Sequence, residues 1–253
     1  MTSAGLPRQL RTVVAIARAD FRERTRGYAF LVALALTAWL GWLASDGTLR
    51  IELGPWRGVL DSAWVGGSLA IIASTFLSLM GGWLVRGTIA RDRATGVGEI
   101  LATTPLTRSS YLLGKWLSHT VYLGSLAVIL ALLALVMLAR NAEAPGFDLA
   151  QLWLPMALIA LPSLAFVAGL AVAFELVPWL RGGFGNVAWL FAWTMTLMAS
   201  IQLGSSFDFS GLAATRASLR ADLVAQAGVD EEGIRVGGGP RRASRTFVWQ
   251  GFD

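Results

Sequence analysis

Five windows of this chain are apolar over about 20 residues, the length that an α-helix rising about 1.5 Å per residue needs to cross a bilayer. The windows cover residues 28–45, 62–85, 116–138, 152–177 and 184–203. Their apolar runs are continuous rather than alternating, which favours helices over the strands of a closed barrel. The predicted fold is therefore all-α, a polytopic transmembrane helix bundle.

The composition agrees with a single membrane domain. The chain has 253 residues, of which 55% are hydrophobic and 15% charged, and its mean hydropathy is +0.59. It contains no cysteine, so disulfides and thiolate chemistry are excluded. The net charge of +5 does not indicate a nucleic-acid partner, because the basic residues gather at the ends of the windows instead of forming one stripe.

The basic residues also predict an orientation. Twelve lie before the first window, between the second and third, or between the fourth and fifth: Arg8, Arg11, Arg18, Arg22, Arg24, Arg26, Arg86, Arg91, Arg93, Arg108, Lys115 and Arg181. The alternate short loops hold only Arg50, Arg57 and Arg140. By the positive-inside rule we expect a multi-pass protein of the bacterial cytoplasmic (inner) membrane, with a cytoplasmic N-terminus and no cleaved signal peptide.

The chain divides into three predicted regions. Residues 1–27 form a cytoplasmic N-terminus with an amphipathic helix, 28–204 the transmembrane bundle with a cytoplasmic connector at 86–115, and 205–253 a polar extracytoplasmic segment. The amphipathic helix lies along the membrane surface, either as an elbow that orients the first span or as an anchor to anionic membrane lipids. Five spans put the last segment outside, although its six arginines favour the inside.

The second window carries a small residue at every fourth position, which allows another helix to approach closely. The stripe consists of Gly66, Ala70, Ser74, Ser78 and Gly82. It serves packing within the monomer, a dimer seam or a substrate path.

Two ionisable residues lie inside the windows. Glu175 is an intramembrane acid near the cytoplasmic boundary, where we expect it to reach the membrane surface or to pair with Arg181. His119, the only histidine, is expected to be an interfacial residue rather than a catalyst.

The motifs of several enzyme classes are missing. Gly114-Lys115 is followed by Trp116 where a phosphate-binding loop needs Ser or Thr, and a single histidine excludes a His-Glu-x-x-His metal site. The spans also lack the buried acids of a proton-driven pump. We therefore expect no enzymatic activity, no catalytic, cofactor or metal residues in this chain, and energy supplied from elsewhere.

The connector contains a short helical segment. Gly96 and Gly98 interrupt the preceding pattern, and Pro105 ends the helix that Glu99 begins. Val97, Ile100 and Leu101 fall on one face and form an apolar ridge that fits a groove on a partner. Thr107 is a predicted N-cap for the helix that continues into the third span.

These residues resemble the permease subunits of ATP-binding-cassette (ABC) transporters of the type 2 exporter class. The matching run is Arg91-Asp-Arg-Ala-Thr-Gly-Val-Gly-Glu-Ile-Leu-Ala-Thr-Thr-Pro-Leu-Thr-Arg108, followed by Tyr111-Leu-Leu-Gly-Lys115. The resemblance implies that this segment is a coupling helix that contacts a separate ABC ATPase subunit, which binds ATP and Mg. It assigns the contact to Arg91, Arg93, Val97, Glu99, Ile100 and Leu101.

The resemblance also implies six spans and a homodimer or a heterodimer with a related permease. Only five spans are visible, so the last span is expected to be missing and the polar segment to precede it. A non-transporting membrane scaffold or sensor with an external ligand-binding tail is the alternative. The transported substance cannot be read from the residues.

Overall fold

The computed structural model describes residues 8–96, 103, 106–237 and 244–252 of the chain. Among these residues, five helical segments are long and apolar enough to cross a membrane: Tyr28–Ser45, Ser62–Ala94, Arg108–Asn141, Leu149–Leu176 and Gly183–Leu203. We call them spans one to five. Each overlaps one predicted window, so the prediction of a polytopic helix bundle is confirmed.

Spans two and four are interrupted by π-helical turns. Span two consists of Ser62–Ile72, the turn Ala73–Leu77 and Ser78–Val85, and its continuation Thr88–Ala94 is called the connector helix below. Span four consists of Leu149–Pro155, the turn Met156–Ala160 and Leu161–Leu176, followed by the 3-10 turn Pro178–Leu180. Pro155, which has no N–H to donate, directly precedes the turn in span four.

Span two occupies the centre of the bundle. Some 72% of its most apolar window is buried, compared with 22% for span one and 17% for span five. The N-terminal helix Arg8–Thr25 packs along the start of span three, where a Cβ on Gly114 would meet Ile16. Its Val13 and Ala17 are buried there, while Leu10 and Val14 stay exposed.

The stripe of small residues on span two faces other parts of the same chain. Gly66 lies against the main chain of Leu152, and Gly82 lies under the ring of Trp189. Ser74 donates a hydrogen bond to the carbonyl oxygen of Ser210 at 2.6 Å. The remaining pair, Ala70 and Ser78, is fully buried. All five positions are thus enclosed by the chain itself.

A small sheet and a helix cover the end of the bundle opposite the connector, which we call the distal face. The strands Arg50–Leu53, Trp56–Gly58, Ile234–Gly237 and Arg245–Phe247 form it in the order third, first, second, fourth. The first strand pairs antiparallel with the second and third, and the second pairs parallel with the fourth.

The sheet was not part of the predicted all-α fold. Its strands hold only three or four residues each, too few to show an alternating pattern in the sequence. The distal helix Leu212–Ala227 packs beside the sheet through the buried side chains of Leu219 and Leu223. Trp249 and Phe247 lie edge-on to the ring of Trp64, so the sheet rests on the start of span two.

Candidate functional site

The connector helix begins at an acid that comes from span four. Gly87 adopts a φ of 91°, which turns the chain out of span two and leaves the first N–H groups of the next helix without helical partners. Glu175, only 2% exposed, accepts hydrogen bonds from the main-chain nitrogens of Gly87 at 2.8 Å and Ile89 at 2.6 Å. A carboxylate at this position also interacts favourably with the positive end of the helix dipole.

This geometry corrects the prediction for Glu175. Its carboxylate is buried within the protein and does not pair with the Arg181 guanidinium. Arg181 instead donates to the main-chain oxygens of Glu175, at 2.7 Å, and Leu176, at 3.1 Å, and so satisfies the carbonyl end of span four. The buried carboxylate instead accepts hydrogen bonds from main-chain N–H groups at the start of the connector helix.

Asp20 on the N-terminal helix is the centre of a second group of contacts. Its carboxylate lies 2.9 Å from the Lys115 ammonium, accepts from the Ser118 hydroxyl at 2.8 Å and lies 3.4 Å from Nε of Arg24. Burial raises the pKa of this carboxyl, but the charges of Arg24 and Lys115 outweigh burial and hold the pKa below its ordinary value of 3.8. Asp20 is therefore a buried anion fixed by span three.

The connector helix is tied to the same lysine. Lys115 lies 2.8 Å from Asp92, and the hydroxyl of Tyr111 donates to Asp92 at 2.6 Å. Arg91, the residue before Asp92 on the connector helix, lies 3.3 Å from Glu23 of the N-terminal helix. One lysine thus bridges carboxylates from the N-terminal helix and the connector helix.

His119 lies between the two groups of contacts. Its Nε2 is 2.9 Å from the guanidinium of Arg24 and 3.3 Å from the hydroxyl of Thr88. A guanidinium can only donate, so Nε2 accepts and the ring proton sits on Nδ1. His119 is 0% exposed and contacts the N-terminal helix and the connector helix, so it is a buried residue of the bundle, and its depth relative to the membrane interface stays a prediction.

Arg86 fixes the point where the chain leaves span two. Its guanidinium donates to the carbonyl oxygen of Leu180 at 2.6 Å, in the link between spans four and five, and to that of Gly185 at 2.7 Å, in the first turn of span five. Arg24 donates to the carbonyl oxygen of Val85 at 3.0 Å. The start of the connector is therefore held from two sides.

We call this set the anchor network. Its members are Asp20, Arg24, Arg86, Asp92, Tyr111, Lys115, Ser118, His119 and Glu175. Buried ion pairs hold their geometry because separating the partners leaves an uncompensated charge. The connector helix is thus tied to the N-terminal helix, span three and span four together.

Of the predicted contact residues, the structure describes two. Arg91 and Arg93 lie on the connector helix; Arg91 is paired as above, and Arg93 lines a 290 Å³ cavity with Arg108 and Leu112. Val97, Glu99, Ile100 and Leu101 lie outside the described residues. The predicted N-cap is confirmed, since the hydroxyl of Thr107 accepts from the main-chain nitrogen of Ser110 at 3.2 Å.

Two acids of the network, Asp20 and Asp92, were not among the predicted site residues, whereas Glu175 was. Asp92 stands between Arg91 and Arg93 on the connector helix, and Asp20 stands four residues before Arg24 on a helix with five arginines. That contrast is a usable signal, since an acid within a basic surface helix has a reason to be there. The sequence does not indicate which residues pair with Asp20 and Asp92, because these contacts arise from tertiary packing.

The comparisons with known proteins agree with this architecture. A family model described as "ABC-2 family transporter protein" matches residues 14–207, which include the connector and all five spans. Comparison with curated proteins and comparison with solved structures gave no match. Since the family model covers most of the 253 residues, the chain belongs to the ABC-2 family of transporter proteins, as a membrane-spanning permease subunit.

Proposed function

We propose that this permease subunit belongs to an exporter and that a separate ABC ATPase subunit drives it through the connector between spans two and three. The observation that carries the proposal is the anchor network, in which Glu175 and Lys115 hold the connector helix against two spans. A loop that served only to link two helices would not need buried charges at its root.

The charge distribution supports a cytoplasmic position for the connector. The N-terminal helix, the connector and the link between spans four and five carry twelve basic residues on one face of the bundle. On this proposal the protein lies in the bacterial inner membrane with that face in the cytoplasm, where ATP is available. ATP and Mg bind to the partner subunit, and this chain supplies the path.

The contact with the ATPase is assigned to the segment that follows the connector helix. Ile100 and Leu101 supply an apolar ridge, and burying each contributes about 1.5–3 kcal/mol to association. Glu99, Arg91 and Arg93 supply flanking charges. Movement of the ATPase displaces the connector helix, and the anchor network carries that displacement to spans three and four. Two copies, or one copy with a related permease, enclose the path.

Co-purification with a co-expressed ABC ATPase subunit from the same organism tests the proposal. We expect Ile100→Asp and Glu99→Lys to leave the protein in the membrane fraction and to reduce ATPase recovery at least tenfold. Glu231→Lys, the same charge change in the distal segment, is the matched control and should retain full recovery. Unchanged association of both connector variants would contradict the assigned contact.

The rate of ATP hydrolysis separates coupling from mere association. Glu175→Gln lies outside the assigned contact, so the complex should still form, but the permease should no longer alter the hydrolysis rate of its ATPase. If the protein is instead a scaffold or sensor, the unaltered protein should also have no effect on the rate of ATP hydrolysis.

A further inference from the structure

An apolar cavity of 400 Å³ opens between spans two and five and the distal helix. Phe76 and Leu79 form one wall, Trp193, Leu197 and Ile201 the second, and Leu212 the third. A volume in the range of about 300–1,000 Å³ is typical of small-molecule sites. The cavity lies along the distal half of span five, a helix of which only 17% of the most apolar window is buried by the rest of the chain.

The wall of the cavity offers little for a polar ligand. The hydroxyl of Thr75 already donates to the carbonyl oxygen of Ile71 at 2.6 Å, and the indole N–H of Trp193 donates to the hydroxyl of Ser78 at 2.8 Å. Both polar groups of spans two and five that line the cavity are therefore satisfied within the chain. A ligand that lies between spans two and five in this cavity therefore needs to be a hydrocarbon.

The charged groups of the lining stand at its distal end, on the segments that follow span five. Arg216 and Glu232 both line the cavity. The carboxylate of Glu232 lies 3.5 Å from Arg220, whereas no carboxylate of the described residues lies within 4 Å of the Arg216 guanidinium. The distal end of the cavity thus presents a cation that is available to an anion.

We propose that this cavity binds one acyl chain of an anionic phospholipid, with its phosphate held by Arg216. The chain lies against Phe76 and Leu197, and the headgroup lies beside the distal helix, where the apolar bundle meets the polar segment. The proposal concerns binding to this chain alone and does not depend on export or on an ATPase.

Photo-crosslinking of the purified full chain with a diazirine-labelled phosphatidylglycerol tests it. We expect mapped crosslinks to concentrate on residues 75–79 and 193–201. Leu197→Trp, which fills the cavity, should reduce the yield there at least fivefold, and Ile201→Trp, at a more exposed position, should act in the same direction if the first variant folds poorly. Met195→Trp, at a position 63% exposed on the opposite side of span five, is the matched control and should leave the yield unchanged.

The charge is tested with the same probe on a phosphatidylcholine headgroup. The unaltered protein should prefer the anionic probe at least threefold, and Arg216→Gln should abolish that preference, while Arg140→Gln should keep it. Crosslinks spread evenly over the exposed faces, or an unchanged yield in both filling variants, would overturn the proposal.

Discussion

The carboxylate of Glu175, at the end of span four, lies 2.6 Å from the main-chain nitrogen of Ile89, in the first turn of the connector helix. The two residues are 86 positions apart in the chain. Their contact explains why an acid stands in an otherwise apolar span, because the exposed N–H groups of a helix start are the partners that a buried carboxylate needs.

Replacing Glu175 with Ala should loosen the connector helix. The change leaves the buried N–H group of Ile89 without its acceptor, at about 1–3 kcal/mol, and also removes the acceptor of the part-buried Gly87 N–H. We expect faster amide hydrogen exchange across residues 88–94 and a lower thermal midpoint in detergent. Glu23→Ala removes a carboxylate that is 59% exposed and serves as the control. Unaltered exchange in the connector helix of the Glu175 variant would show that the contact does not hold it.

The stability of the protein should fall in acid because of Asp20. Its folded-state pKa lies below 3.8, so the charged carboxylate stabilises the fold above pH 3.8 and this stabilisation is lost as the pH falls through the folded-state pKa. Thermal midpoints measured from roughly pH 6 to pH 3 should drop less steeply in Asp20→Asn than in the unaltered protein. Asp46→Asn, at the end of span one, should keep the steep dependence. Equal slopes in all three proteins would argue against Asp20.

Gly82 should not tolerate a side chain. A Cβ at this position would overlap the ring of Trp189, which is fully buried between spans two and five. Gly82→Ala is expected to lower the free energy of unfolding by about 1–3 kcal/mol, and adding Trp189→Leu should recover part of the loss. Gly124→Ala is the matched control, because its nearest neighbour, Leu161, would lie 3.7 Å from the new Cβ. Denaturation of the purified variants measures the free energy of unfolding in each case. An unchanged free energy of unfolding in Gly82→Ala would contradict the tight packing.

The proposed orientation can be tested with single cysteines, since the chain has none of its own. We expect Thr104→Cys to react with a membrane-impermeant maleimide only from the cytoplasmic side. Ala225→Cys, on the distal helix, should react only from the opposite side. Labelling of Thr104→Cys exclusively from the outside would reverse the topology and remove the connector from reach of an ATPase.

The sequence was sufficient for the spans and insufficient for their contacts. Hydropathy predicts the five helices because lipid demands long apolar segments, and Thr107 could be predicted as an N-cap because capping is local. The pairing of Asp20 with Lys115 joins positions 95 residues apart, and no local pattern in the chain indicates it. The same holds for the ring of Trp189 over Gly82.

The sheet on the distal face is a second example of a contact that the sequence alone does not indicate. The segment Arg50–Leu53 pairs with Ile234–Gly237 across almost the whole chain, and four spans separate them. Neither segment is long enough to show the alternation that marks a strand. Each strand is stable only because the other is present, so neither could be predicted alone.

That sheet gives the two ends of the bundle different mechanical freedom. The strands that precede span two are paired by main-chain hydrogen bonds with the strands that follow span five. Spans two and five therefore cannot separate at the distal face unless these hydrogen bonds break. A rearrangement of the spans that leaves the sheet intact must therefore rotate about the distal face. The larger excursions then fall at the end of the bundle that carries the connector.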